Sequence, residues 1–321
     1  MFTYLPSRAC TPKTLFAFYF VIITAAFWAQ QTQAQADTSQ ETLELVGNPI
    51  VSDAADRIVL ASEIRTLTQQ VAAASCSVTS NVDVEEAHDV LEAATKAFDD
   101  YIVALRDGDE TLNIVAPETN ARILHDIAFL NEEWMTIHGA VDRIIAGEGG
   151  VDASHLIDDD NLKLLELATQ LQSDINGRYA NPYEMTAADA MMVEIAGRQL
   201  MLTQKMAKDA CEIWSDYNAE AGRADLQETM EIFENSLRAL LVGLPAAGLQ
   251  PAPTPKIRED LEVLLERWEI IKVNQQTLVD GGQLNEDQKY EIFHDLQLEL
   301  TDLRVLLEDY RAYAERNHAQ P

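Results

Sequence analysis

The sequence predicts an all-α protein: two tandem four-helix bundle repeats, related by internal duplication, behind a cleaved signal peptide. Three observations carry this prediction. From residue 50 onward, apolar residues recur at three- and four-residue spacing with almost no β-branched alternation, the pattern of helices that each bury one face. The periodic segments come as four, a break, and four more, with turn residues between them. The stretch 196–211, AGRQLMLTQKMAKDAC, has a weaker copy at 61–76, ASEIRTLTQQVAAASC, aligned without a gap at an offset of 135 with Ala, Leu, Thr, Gln, Ala and Cys shared.

The elements follow in order. The chain opens with Arg8 and Lys13, an apolar run from Leu15 to Trp28, and Ala34-Gln35-Ala36 before Asp37. This reads as a secretory signal with an A-x-A cleavage site, so residues 1–36 are expected to be removed on export to the periplasm or beyond. The run falls short of the ~20 residues of a spanning helix, and Cys10 precedes it, which excludes Cys10 as the lipidated residue of an exported lipoprotein.

The first helix is predicted over about Ile50–Cys76 and the second over about Val84–Arg106, ending at Asp107-Gly108-Asp109. The third begins at Pro117, a favoured first-turn residue, and runs to about Ala146 before Gly147-Glu-Gly-Gly. The fourth covers about Ala153–Tyr179 and stops at Asn181-Pro182. Helix five starts near Thr186 and contains the repeated stretch, and helix six covers about Ala221–Leu241. Residues 243–255, with four prolines, form an irregular crossover. Helices seven (Pro255–Val279) and eight (Asn285–Asn317) complete the second set. The domain boundaries expected are therefore 50–182 and 183–317.

Further landmarks recur at the same offset: Ser80 and Ser215, Leu91 and Leu226, Phe98 and Phe233, Gly108 and Gly243. After a one-residue slip, Leu130 and Trp134 fall on Leu264 and Trp268. Landmarks in register over such a length argue for duplication rather than shared helical composition. The aromatics among them read as core.

The formal charge is −31, and loss of Arg8 and Lys13 takes it to −33. Such a surface repels nucleic acid and anionic lipid and favours solubility. No enzyme constellation is visible. The six histidines (His88, His125, His138, His155, His294, His318) show neither H-x-H nor H-E-x-x-H spacing, and no cofactor motif occurs. The acidic runs at 81–86 and 157–160 lack the glycine and closing glutamate of a calcium loop and read as helix-start acids and solvated loops.

On the repeated helix, Ile64, Leu67 and Val71 form a stripe, matched by Gln199, Leu202 and Met206, that is expected to enter the core of its own bundle. A neighbouring stripe of Ala61, Arg65, Thr68, Ala72 and Cys76 is matched by Ala196, Leu200, Thr203, Ala207 and Cys211. Its small residues suit close packing of helix one on helix five; the other reading is contact with a helix of the same bundle. If the two pair in parallel, Cys76 meets Cys211, and an oxidising compartment permits a bridge. The alternative is two buried thiols.

The run AGRQLMLTQKMAK at 196–208 resembles the signature helix of the PilJ/NarX-type sensor domain, found at the N-terminus of type IV pilus methyl-accepting chemotaxis transducers and in nitrate/nitrite sensor kinases. That signature reads approximately A-G-R-Q-R-M-L-S-Q-R/K, and the copy at 61–72 is looser. The resemblance implies a periplasmic four-helix sensor module, usually dimeric, whose signature helices meet and whose arginine before the methionine holds a small oxyanion. Here that position is Leu200 in one copy and Arg65 in the other. The ligand residues it implies are Arg65, with Thr68 and Thr203 nearby, and Arg198 on the far side of helix five; Arg65 could equally pair with one of the many carboxylates. The expected partners are a small solute or anion and a membrane-bound signalling or envelope protein, with no cofactor or metal. The chain ends soon after helix eight, so signalling is expected to run through that partner. The rival expectation is an envelope or pilus scaffold that has lost its ligand.

Overall fold

The computed structural model of the protein describes residues 53–180 and 186–318. Among them are eight α-helices: α1 Ala54–Thr79, α2 Val84–Asp107, α3 Ala121–Ile145, α4 Val151–Tyr179, α5 Ala187–Trp214, α6 Ala219–Val242, α7 Pro255–Val279 and α8 Glu286–His318. Short 3-10 turns follow α2 and α6. Extended pairing among the described residues is limited to isolated bridges, Asp109 with Ile114 and Leu244 with Leu249. The expected signal segment lies outside the described residues, as does the predicted start of the first helix at Ile50. No helix among the described residues is long and apolar enough to cross a membrane.

The helix limits follow from local chemistry. Thr186 accepts from Asp189 N at the head of α5, and Thr254 from Ile257 N at the head of α7, where Pro255 fills the first turn. Each side-chain oxygen satisfies one of the donors a helix start leaves free. One predicted limit is corrected: α3 begins at Ala121 rather than Pro117. Asn120 Oδ1 accepts from Arg122 N (2.9 Å) and Ile123 N (3.2 Å), and Glu118 N is held by Arg106 O at 2.9 Å. The proline therefore sits in a strapped extended segment.

The same turn occurs twice. Gly108 and Gly243 close α2 and α6 at φ +84° and +81°, with neighbouring backbone 3.1 Å and 2.9 Å from where a Cβ would stand. Only glycine meets both demands. A 3-10 turn and a lone bridge follow in each, and then Glu118 N bonds Arg106 O as Ala252 N bonds Leu241 O. The spacing drops from 135 to 134 between Ile114/Leu249 and Glu118/Ala252, which puts the one-residue slip in this loop.

Each set of four packs as an up-and-down bundle. In the first, α1 packs on α2 and α4, and α3 on α4 and α2; in the second, α5 packs on α6 and α8, and α7 on α6 and α8. Phe98 stacks on Trp134 with ring centroids 4.2 Å apart, and Phe233 meets Trp268 edge-on at 5.0 Å. Both indoles are buried and donate Nε1–H to an acid on the preceding helix, Asp99 at 2.7 Å and Glu234 at 3.2 Å.

The first bundle is closed at one end by a buried polar cluster. Arg57 donates to both Asp53 oxygens (3.1 and 2.9 Å) and to Leu105 O, and lies 3.7 Å from Glu118, which accepts from Tyr179 Oη at 2.6 Å. At the matching place the second bundle has Met192, also buried.

Candidate solute site at the helix seam

The two bundles meet along α1 and α5. At one end Ser62 Oγ lies 3.3 Å from where a Cβ of Gly197 would stand. At the other, Cys76 and Cys211 are joined by a disulfide, their Cα atoms 6.1 Å apart. In both pairs the partners are 135 residues apart, so α1 and α5 run parallel and in register. A Cβ at 197 would be tight against the Ser62 hydroxyl, so the glycine eases this approach.

Ala73 packs in the core of the second half. At ~100° per residue, Ser62, Ala73 and Cys76 lie within about 60° of one line, roughly opposite Ile64, Leu67 and Val71, which are buried in the first core. The contact line is thus turned from the stripe of Ala61, Arg65, Thr68, Ala72 and Cys76. Thr68 falls on the flank that meets α4, where Asn161 donates to its carbonyl at 2.7 Å.

The four expected ligand residues are placed as follows. Thr68 Oγ1 donates to Arg65 O and Thr203 Oγ1 to Gln199 O, each at 2.8 Å, so both hydroxyl protons are held by their own helices. Arg198 is exposed on α5. Arg65 is 6% exposed. Its nearest acid is Glu194 on α5, with Nη1 to Oε1 at 3.7 Å, too long for a hydrogen bond. Its Nε and Nη2 are buried and have no acceptor. Burial lowers the Arg65 pKa from its ordinary value; Glu194 opposes that and Arg198 adds to it. The guanidinium remains charged in either case.

A second feature of the seam is a cavity of about 260 Å³ beside the disulfide, lined among others by Ser154, His155, Asp158, Lys208, Glu212 and Tyr217. Lys208 Nζ lies 3.4 Å from Asp158, 3.3 Å from Asp209 and in contact with Glu212. Burial alone would lower Lys208, but Asp209, Glu212 and Asp158 outweigh it and raise its pKa. Burial and a hydrogen bond with Asp158 push Glu212 up to about 8. Lys208 thus has three acidic neighbours, of which Glu212 keeps its proton below about pH 8. Arg65, by contrast, has donors to spare, and an unpaired buried donor costs about 1–3 kcal/mol.

The region around Arg65 is built from the repeated helix, and here the comparisons with known proteins bear directly. A family model described as the N-terminal domain of type IV pili methyl-accepting chemotaxis transducers, PilJ, matches residues 184–292. Residues 184–292 are a PilJ domain. The match contains the whole of α5, α6 and α7 and the start of α8, with the AGRQLMLTQKMAK run inside it. The matched segment is therefore helical and of a sensory, signalling type. No curated protein matches the chain.

Sequence reasoning missed Glu194, the acid facing Arg65, because the pairing depends on how α1 and α5 register against each other. It also missed the buried Lys208, Asp209 and Glu212 group. Acids at i+1 and i+4 from a lysine were visible, but nothing in the spacing distinguishes a buried ion cluster from a solvated helix face.

Proposed function

We propose that the protein is an exported sensory module in which residues 50–182 form a second, diverged PilJ-like bundle beside the PilJ domain. In this reading a small oxyanion is bound at the seam by Arg65, and a separate membrane or envelope partner reads the result. The observation that carries it is the buried Arg65 guanidinium, whose Nε and Nη2 form a forked pair of donors without acceptors. A planar or tetrahedral oxyanion fits such a fork bidentately. Arg198 contributes a second positive charge from α5.

The disulfide ties α1 to α5 eleven residues beyond Arg65, about 16 Å along the helix. An anion bound at Arg65 would thus act on the free end of the helix pair while the tied end serves as a pivot. A ligand shifts such an equilibrium only by its differential affinity for the two packings.

A thermal-shift panel of nitrate, nitrite, sulfate and other small anions on the purified protein tests the reading. At least one anion should raise the midpoint for the wild type and not for Arg65→Ala. Absence of any response, or an equal response from both proteins, removes the anion site. A second reading, a ligand-free envelope scaffold, is favoured by Leu200 standing where the family signature has its arginine and by the covalent lock on the seam. Recovery of a stable protein partner without any small-molecule response would support it.

A further inference from the structure

The acidic run at 81–86 holds a feature that the sensory reading leaves unused. Asp83 precedes the first residue of α2 at φ 44°, yet its carboxylate makes no capping hydrogen bond to that helix. Its Oδ2 is buried without a hydrogen-bond partner. Glu86, three residues on, faces the same point, and its Oε2 lies 2.7 Å from His294 Nδ1 on α8. One ligand atom from each of Asp83, Glu86 and His294 falls within 4.8 Å of the others.

From Asp83, Glu86 and His294 we infer a divalent transition-metal site that joins α2 of the first half to α8 of the second.

The chemistry narrows the ion. Donors bound to one ion at ~2.0–2.2 Å lie at most about 4.4 Å apart, so the three groups need move only a few tenths of an ångström to share one. An imidazole with two carboxylates suits zinc, manganese, iron or cobalt rather than calcium or magnesium, which take oxygen donors almost alone. The two carboxylates stand side by side here, and a divalent cation between them would offset their mutual repulsion. The Tyr290 ring stacks on the His294 imidazole at 5.4 Å and holds its plane. The three protein donors leave positions for water or a solute anion.

The other imidazole set between carboxylates shows why this site is distinct. His138 uses its two nitrogens on different acids, Nε2 on Asp99 at 3.2 Å and Nδ1 on Asp142 at 3.0 Å. Its ring therefore stands between the carboxylates, and the three groups do not converge.

The site is independent of the anion reading, since it lies on α2 and α8 and shares no residue with Arg65. Its consequence is mechanical: an ion there pins the start of α8 to the start of α2, across the two halves.

The purified full-length protein, stripped with chelator and dialysed, is titrated with Zn²⁺, Mn²⁺ and Co²⁺ by calorimetry, with metal content counted by mass spectrometry. One ion per chain is expected, bound by wild type and His138→Ala alike. Affinity should fall in His294→Ala and in Asp83→Asn by no less than the roughly tenfold that loss of an outer-shell partner costs. Bound Co²⁺ should show the absorption of a nitrogen-ligated ion, lost in His294→Ala. Circular dichroism of each variant guards against misfolding. Failure of the stripped wild type to bind any of the three ions overturns the proposal. So does equal binding by the wild type and a folded His294→Ala, which would mark scattered surface carboxylates as the binders.

Discussion

Cys76 and Cys211, 135 residues apart in sequence, are covalently joined and occupy the same position in two parallel helices. A bridge closing so long a loop restricts the unfolded chain strongly, by about 4–5 kcal/mol in the chain-entropy description, with removal of native bridges costing about 2–5. The double variant Cys76→Ser, Cys211→Ser is therefore expected to lose about 2–5 kcal/mol in equilibrium urea unfolding, and to unfold over a broader range as the halves part. Unchanged stability would mean that packing along the seam alone holds α1 to α5.

The buried Arg57 cluster gives a prediction confined to the first half. Glu118→Ala leaves Arg57 facing Asp53 with one of its acids gone and Tyr179 Oη without an acceptor. Arg57 keeps both bonds to Asp53, so the loss expected is that of the stranded hydroxyl and the missing second acid, about 1–3 kcal/mol. Tyr179→Phe removes one hydrogen bond and should cost about 1 kcal/mol. Comparing the two by thermal unfolding separates the ion cluster from the single bond; equal small losses would show that the cluster is hydrated and weak.

A pH dependence follows from Glu299, fully buried on α8 with Oε1 unpartnered and its other oxygen 3.4 Å from Arg267. Burial first, against the opposing pull of Arg267, pushes its pKa from 4.5 to about 8. The folded state thus holds this proton more tightly than the unfolded chain does. The associated stability is full below about pH 4.5 and is lost as the pH rises through about 8. Glu299→Gln, neutral at every pH, should be more stable than wild type above pH 8 by on the order of 1–3 kcal/mol, with the gap closing toward pH 5. Parallel stability curves for the two proteins would place the carboxylate in a solvated pocket instead.

Arg65 carries the opposite expectation in the absence of anion. It is buried with two unpaired nitrogens and one long contact to Glu194. Replacing it by an apolar side chain of similar length relieves that desolvation. Arg65→Met should therefore equal or exceed the wild-type midpoint in anion-free buffer, and a loss above about 2 kcal/mol would show that the arginine is structural.

The helices were legible because each buries one face and stops at identifiable residues. Pro255 opens α7 where expected, and Gly108 and Gly243 end their helices for a steric reason that sequence can signal. The start of α3 was misread because Pro117 suits a first turn, whereas Glu118 is held by Arg57 and Tyr179, and such tertiary partners leave no local mark. For the candidate site, the repeated helix and Arg65 were visible, as were the acids at 83 and 86. Glu194 and His294 were not, since each is brought in by the packing of another helix, His294 from 208 residues away. Thr68 and Thr203 share the repeat yet donate into their own helices, so sequence identity marked the helix but not which hydroxyls face a ligand.

The central claim is that Arg65 holds an anion at the seam, and equilibrium titration tests it most directly. Wild type and Arg65→Met are titrated by calorimetry in anion-poor buffer with nitrate, nitrite and sulfate in turn. The account predicts one site per chain for at least one of these, weakened about tenfold or more in Arg65→Met, in line with the ~1.5–3 kcal/mol of a hydrogen bond to a charged group. Binding of equal strength in the two proteins, or no binding by the wild type, would contradict it.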